Sequence, residues 1–398
     1  MSQTMGCFSA RYDFLSPQRI VFGWGRRSEV GVWAKTLGRR ALVVHGSRTL
    51  ERSGALEELA ERLRREGVEP VLMASIGHEP EVEDVDRLAA RVRELGPRQG
   101  DLVIAMGGGS AIDLAKAGAA MATNTTGPSV KDYLEGVGPG LSLDADPLPM
   151  LAIPTTAGTG SEATRNAVIS SHAPPFKKSL RSDRMVPRVV IIDPELHISV
   201  PRATTAHTGM DAITQLIESY LSNRAASIPQ ALCLQGLSLV APAILRAVQE
   251  PRDREARERM AHGALLSGLA LANSGLGLAH GVAAALGIHA RVPHGLACAV
   301  LLPVAMRVNR AVREADLARI GEVLHGREFS TRAAACDAAL AKVEELCAGA
   351  EIPNRLSAIG VARDDLPAIV KSSYGNSMSG NPRKVSEEEL LGLLEEIW

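Results

Sequence analysis

The chain has 398 residues, 45% of them hydrophobic and 22% charged, with a formal net charge of −1. That length predicts two domains, and the apolar content is enough for sizeable cores, which excludes global disorder. A nearly neutral chain with only 3% aromatic residues lacks the basic footprint and stacking surfaces of a nucleic-acid binder, and nothing in its charge draws it to an anionic membrane.

In chain order, residues 1–12 show no basic segment followed by an apolar stretch, so no secretory signal is expected. Residues 40–45 read as a buried strand, 56–66 as a helix of mixed charge and 68–73 as a second strand. A helix over 82–95 places Val85, Leu88, Ala89, Val92 and Leu95 on one face. Strands follow at 101–106, 149–154 and 188–193, with 124–147, rich in Gly, Pro, Ser and Thr, as an exposed loop between the first two. Strands alternating with helices predict a parallel sheet covered on both faces.

After about residue 194 the pattern turns helical, with Ala/Leu-rich periodicity at 211–222, 228–247, 252–271 and 332–347. We therefore expect an α/β domain over 1–195 and an all-helical domain over 196–398. Residues 263–290 contain no Lys, Arg, Asp or Glu and are long enough to span a membrane. Asn273, Ser274, His280, His289 and the glycines at 275, 277, 281 and 287 interrupt them, so they read as buried helices of a soluble core. Five widely spaced cysteines without a C-x-x-C pair predict free thiols and a reducing, cytoplasmic compartment.

The strand at 101–106 runs directly into Gly107-Gly108-Gly109-Ser110, which opens a helix. Glycines let the backbone turn tightly and keep side chains out of a ligand's way, and a helix N-terminus offers unpaired N–H groups and partial positive charge. That combination suits a pyrophosphate. Ser110 is placed to cap the helix, with Asp113 as its capping-box partner. The run departs from the regular dinucleotide fingerprint, because Ile112 holds the third glycine position. A Gly-rich turn that binds nothing is the plainer reading. The second loop, 154–164 (PTTAGTGSEAT), has small hydroxyl-bearing residues suited to close contact with a flat or anionic ligand, or to an ordinary Ser/Thr turn.

Taken together, Gly107-Gly108-Gly109-Ser110-x-x-Asp113-x-x-Lys116, Pro154 to Glu162, Thr208-Gly209-Met210-Asp211-Ala212 and Pro293-His294-Gly295 resemble the iron-containing (group III) alcohol dehydrogenases. The resemblance runs from Arg19 to Arg383. It implies an α/β dinucleotide domain with a parallel sheet, an all-helical C-terminal domain (the fold shared with dehydroquinate synthase), and a catalytic cleft between them. It implies NAD(P)H-dependent interconversion of an alcohol with an aldehyde or ketone by metal-assisted hydride transfer, in a homo-oligomer. By the same resemblance Gly107, Gly108, Gly109, Ser110 and Asp113 belong to the pyrophosphate site. Thr155, Thr156, Thr159 and Ser161 line the path from adenine to nicotinamide, and Lys177 lies near the cofactor ribose, unless it is a solvated loop lysine. Gly46 stands where NAD-selective relatives carry an Asp. With no carboxylate to repel a 2′-phosphate, and with Ser47 and Arg48 following, the reading leans to NADP(H).

The family's metal ligands are an Asp, a His four residues later and two further histidines. Asp211, His280 and His294 match three of them, and Gln215 stands at the second. An amide oxygen coordinates more weakly than imidazole and prefers harder ions. Asp211, Gln215, His280 and His294 make a mixed donor set for Fe²⁺ or Zn²⁺. Another family histidine is Ala284 here. The plainer readings are a hydrogen-bonded core residue for His280, a helix-start acid for Asp211 and a solvated charge for Glu218. His280 and His294 are also the catalytic candidates, since in a metal-free site they would supply electrostatic help or a proton. Rival functions are a metal-independent carbonyl or oxo-acid reductase resembling maleylacetate reductases, with Arg165 and Lys178 facing an anionic substrate, a dehydroquinate-synthase-like lyase, and a cofactor-binding protein without turnover.

Overall fold

The computed structural model describes residues 11–46 and 48–398; Cys7 and Ser47 lie outside them. Eight strands are present among these residues: β1 (Arg19–Phe22), β2 (Arg40–His45), β3 (Glu69–Ser75), β4 (Asp101–Gly107), β5 (Met150–Pro154), β6 (Asn166–His172), β7 (Pro175–Arg181) and β8 (Val189–Ile192). Six form one parallel sheet in the order β1-β8-β5-β4-β2-β3, while β6 and β7 make a separate antiparallel ribbon. Strands β2, β4, β5 and β8 are buried along their whole length. Helices cover both faces, which is why these strands read as unbroken apolar runs. Successive side chains enter opposite cores: Leu42, Val44, Val103 and Ala105 pack on one face, and Ala41, Val43, Leu102 and Ile104 on the other.

From β2 the chain steps outward to β3, then returns to place β4 on the other side of β2. The strand order reverses there, and a crevice opens at the carboxyl ends of β2 and β4, where ligands of such sheets bind. Gly46 and Gly107 meet at that point: a Cβ on Gly107 would lie 2.8 Å from the Gly46 nitrogen.

The sheet half differs from the sequence reading first at the ribbon and at the segment 124–147. The ribbon β6–β7 was not expected. Only Ala167, Ile169, Ser170, Phe176 and Leu180 are buried in it, the apolar run in β6 is just three residues long (167–169), and β7 carries Lys177, Lys178 and Ser179 between its two buried positions, so neither a long apolar run nor clean alternation marks the strands. The segment 124–147 is not simply exposed, because Val130, Tyr133 and Leu134 are buried. Asn124 closes it by accepting the backbone N–H groups of Asp144 and Ala145 at 2.8 and 2.9 Å.

Beyond β8 the described chain is helical. The helix Arg202–Leu221 starts behind Pro201, well before residue 211. The run over 228–247 is two helices, Ser227–Val240 and Ile244–Gln249, parted at Pro242, which has no N–H to donate. The charge-free stretch falls in two helices, Arg254–Ser274 and Leu278–Ala290, bent by 100° around Gly275 and packed in the helical core. The helical run His294–His325, kinked at Arg313 where the backbone leaves helical geometry, is apolar enough to cross a membrane by composition, with 61% of its most apolar stretch buried by its neighbours. Cys233, Cys298, Cys336 and Cys347 are free and buried.

Candidate active site

A cleft of about 990 Å³ runs between the sheet half and the helical half. On its sheet side lie Gly109, Ser110, Asp113, Thr159, Ser161 and Lys177; on its helical side lie Asp211, Gln215, His280 and His294. The sequence-chosen positions thus converge from both halves. Gly46, Gly107, Gly108, Thr155 and Thr156 sit just behind, at the ends of β2, β4 and β5.

The first loop owes its glycines to packing against the second. A Cβ on Gly109 would lie 2.7 Å from Thr159 Oγ1, and one on Gly108 would lie 3.3 Å from Thr156 Oγ1. The Thr155 N–H donates to the Gly107 carbonyl at 2.9 Å. The helix Gly109–Thr123 has Gly108 at its N-cap and no side-chain cap, so its leading N–H groups are left for a ligand. The capping box expected of Ser110 and Asp113 is therefore incorrect. Ser110 is inside the first turn, and Asp113 turns inward, where its Oδ2 accepts the Val168 N–H at 3.0 Å and its Oδ1 lies 4.0 Å from Lys116 Nζ. Lys116 is fully buried and donates to the Thr164 carbonyl, Thr164 Oγ1 and the Asn166 carbonyl at 2.8–2.9 Å. Burial pushes its ammonium down to about 8 and pushes the neighbouring Glu162 carboxyl up to about 7. These contacts lock the helix, the second loop and the ribbon into one unit.

The second loop also reaches the helical half. Gly160 has φ 65°, and its Cβ position would lie 2.4 Å from the Gly268 Cα. Only glycine allows both that backbone conformation and that approach.

In the helical half, three helices supply the central side chains. Asp211 comes from Arg202–Leu221, His280 from the first turn of Leu278–Ala290, and His294 from the start of His294–His325. Gly295 makes the approach possible, since a Cβ there would strike the His207 carbonyl at 2.4 Å and Asp211 Cβ at 3.3 Å. One donor atom each from Asp211, His280, His294 and Cys298 can be chosen so that all lie within 4.8 Å of one another. His280 Nε2 is 3.2 Å from Asp211 Oδ1, and Cys298 Sγ is 3.7 Å from His294 Nε2. Cys298 was missed in the sequence; the signal was its position one turn after His294.

Glu218 is not a solvated charge. It is buried and accepts the backbone N–H groups of Gly277 and Ala279, at 3.1 and 2.7 Å, and the Nδ1–H of His280 at 2.7 Å. The carboxylate thus fills the N-terminus of the helix bearing His280 and fixes its ring, with Nε2 turned to the cluster. Gly277 permits this, because a Cβ there would lie 2.9 Å from Glu218 Oε1. Burial raises the Asp211 carboxyl, but the hydrogen bond and the charge of His280 outweigh it and hold it low. Burial opposes charge on His280, yet Cys298, Asp211 and Glu218 around it hold its pKa well above the ordinary value. Burial and then Lys177 bring His294 down to about 4, so it is neutral at pH 7.

Lys177 lies on the cleft wall opposite, with Nζ 2.6 Å from Glu79 and over Gly287. Arg165, at the other end of the ribbon, also lines the cleft and is paired with Asp183 at 2.7 Å. At the β2 end, the Glu51 carboxylate lies 3.7 Å from His45 Nε2, so an acid stands close to Gly46 although none occupies that position.

The family model for iron-containing alcohol dehydrogenase matches residues 17–194, and that for the C-terminal part of the family matches residues 205–398. The chain belongs to the iron-containing alcohol dehydrogenase family. It is 34% identical to a 1,3-propanediol dehydrogenase of Klebsiella pneumoniae over 97% of this chain and 99% of that one. It is 31% identical to an NAD-dependent methanol dehydrogenase of Bacillus methanolicus over 96% and 99%. A solved 1,3-propanediol oxidoreductase superposes with a TM-score of 0.90 at 32% identity, covering 98% of this chain and 100% of the other. This family member is a nicotinamide-dependent oxidoreductase acting between alcohols and carbonyl compounds, and none of these relatives favours the rival functions.

Proposed function

We propose that residues 1–195 bind the cofactor and residues 196–398 supply the reacting centre, and that the chain reduces an aldehyde or ketone, or oxidises the alcohol, in the cleft between them. The observation that carries this reading is the convergence of Asp211, His280 and His294 across the cleft from the Gly107–Ser110 loop. The leading N–H groups of the helix Gly109–Thr123 bind the pyrophosphate, and Gly46, Gly107 and Gly108 let the backbone come close. Thr155, Thr156, Thr159 and Ser161 line the path toward the nicotinamide. Lys177 holds the ribose end, steadied by Glu79.

The donor set suits a divalent ion: three donors of mixed O and N character converge, and a buried carboxylate orients one of them from behind. An ion held by Asp211, His280 and His294 supplies Lewis-acid polarisation of the substrate oxygen. Around it, Glu218 accepts a hydrogen bond from the Nδ1–H of His280, which leaves Nε2 as the ring nitrogen that faces the site. His294 stays neutral and Asp211 stays ionised at the cleft wall. The cofactor carries the hydride chemistry; the chain positions it against the substrate carbon.

At the β2 end two features oppose each other. Gly46 leaves room for a 2′-phosphate, whereas Glu51 brings negative charge, half exposed and so screened by water. On the lack of a carboxylate at Gly46 itself we infer a preference for NADP(H), which the ratio of kcat/KM for NADPH and NADH measures. The buried free thiols support a cytoplasmic compartment, and the edge strand β1 with its exposed Ile20 supports a homo-oligomer.

Elemental analysis of gently purified protein, with aldehyde reduction before and after chelation, tests the reading. We expect about one equivalent of a divalent metal and activity that chelation abolishes and metal restores. Full activity without metal overturns the metal-assisted mechanism.

A further inference from the structure

Within the metal reading above, on which this inference rests, the identity of the fourth donor is open, and Gln215 and Cys298 compete for the place. Gln215 Nε2 donates to the Thr159 carbonyl at 3.3 Å, and its Oε1 accepts from Ser267 Oγ at 2.8 Å. The Thr159 carbonyl can only accept, so the amide cannot flip without setting two oxygens against each other. The amide is thereby committed to joining the cofactor loop to the helix Arg254–Ser274.

Cys298 is placed differently. It is buried one turn beyond His294 on the same helix, and its Sγ contacts His294 Nε2 at 3.7 Å. The opposite ring nitrogen of His294, Nδ1, is buried with no hydrogen-bond partner, so no neighbour other than the cluster accounts for the ring's placement. A tetrahedral centre with metal–N and metal–O bonds of about 2.0–2.1 Å and a metal–S bond of about 2.3 Å requires O···N and S···N edges of about 3.4 and 3.6 Å. The Asp211–His280 and His294–Cys298 separations are 3.2 and 3.7 Å. Two of the six edges of the tetrahedron thus match, and the other four lie within 4.8 Å.

We propose that the metal site of this chain is Asp211, His280, His294 and Cys298, with the Cys298 sulfur as fourth donor, the substrate oxygen entering as a fifth ligand, and Gln215 a positioning residue for the Thr159 loop. Coordination replaces the S–H bond by a metal–sulfur bond and releases the proton to solvent. A thiolate donor favours zinc, or its spectroscopic surrogate cobalt, over a harder ion.

The test is cobalt(II) replacement in the full-length protein, read by absorption. A thiolate ligand gives an intense near-ultraviolet charge-transfer band that nitrogen and oxygen donors do not. We expect the band in the parent protein and in Gln215→Ala, and its loss in Cys298→Ser and Cys298→Ala. Cobalt and zinc affinity should fall by about tenfold or more in the Cys298 variants, with circular dichroism confirming that each variant is folded. Cobalt bound at one equivalent without the band, or with a band that survives Cys298→Ala, overturns Cys298 as ligand and leaves the three-donor metal reading standing. No cobalt uptake by the folded parent protein overturns both.

Discussion

The two sides of the cleft are built by different means. On the sheet side, the cofactor loops work with backbone: glycines, small hydroxyls and a helix N-terminus held together by the close contacts of Gly108 and Gly109 with Thr156 and Thr159. On the helical side, the centre works with side chains brought from positions 211, 280, 294 and 298 on three helices, with Glu218 behind them. A site made of backbone is specified by what its residues lack. A site made of side chains is specified by what its helices allow to meet.

The difference predicts separable losses. His280→Ala should lower kcat by on the order of 10³-fold while cofactor affinity, measured by NAD(P)H fluorescence, stays within a few-fold of the parent. Loss of both together would mean the two sides are one coupled unit. Glu218→Gln keeps an acceptor for His280 but removes the buried charge, and metal affinity should fall about 10- to 100-fold by competition with a chelating dye. Unchanged affinity would make Glu218 a helix cap alone. Gly109→Ala should do the reverse, raising the KM for cofactor by about tenfold with metal content intact, because its Cβ has no space beside Thr159.

A smaller effect lies in pH. Burial pushes His197, at the end of the sheet half, down to about 4. The unfolded chain binds that proton near pH 6.5, so between those values the folded state holds fewer protons. The stability contributed by neutral His197 is complete above pH 6.5 and is lost as pH falls toward 4. The melting temperature of metal-free protein should drop over that window, and more shallowly in His197→Gln. His294, also brought to about 4, adds a slope of the same sign in the helical half.

The same contrast explains what was legible in the sequence. Strands β2, β4, β5 and β8 showed as apolar runs because both their faces are buried, and the Gly107–Ser110 loop showed because strand, turn and helix are adjacent in the chain. The β6–β7 ribbon did not, because its pairing buries few side chains. Ser110 and Asp113 had capping-box spacing, yet Asp113 satisfies itself at Val168 across the fold. Asp211, His280 and His294 were found through a family resemblance rather than from spacing. Glu218 looked like a surface acid, because only the arrival of a helix N-terminus 59 residues along the chain makes it an internal partner. Cys298 had a local cue, one turn from His294, that carries meaning only once Asp211 and His280 are known to face the same point.

The most direct test is crystallographic: crystals of metal-loaded protein with NADP(H), measured at the metal's absorption edge. One anomalous peak per chain is expected among Asp211, His280 and His294, with the cofactor pyrophosphate on the N-terminus of the helix Gly109–Thr123 and its nicotinamide facing that peak. A metal bound away from these three residues, or a pyrophosphate away from the Gly107–Ser110 loop, would contradict it.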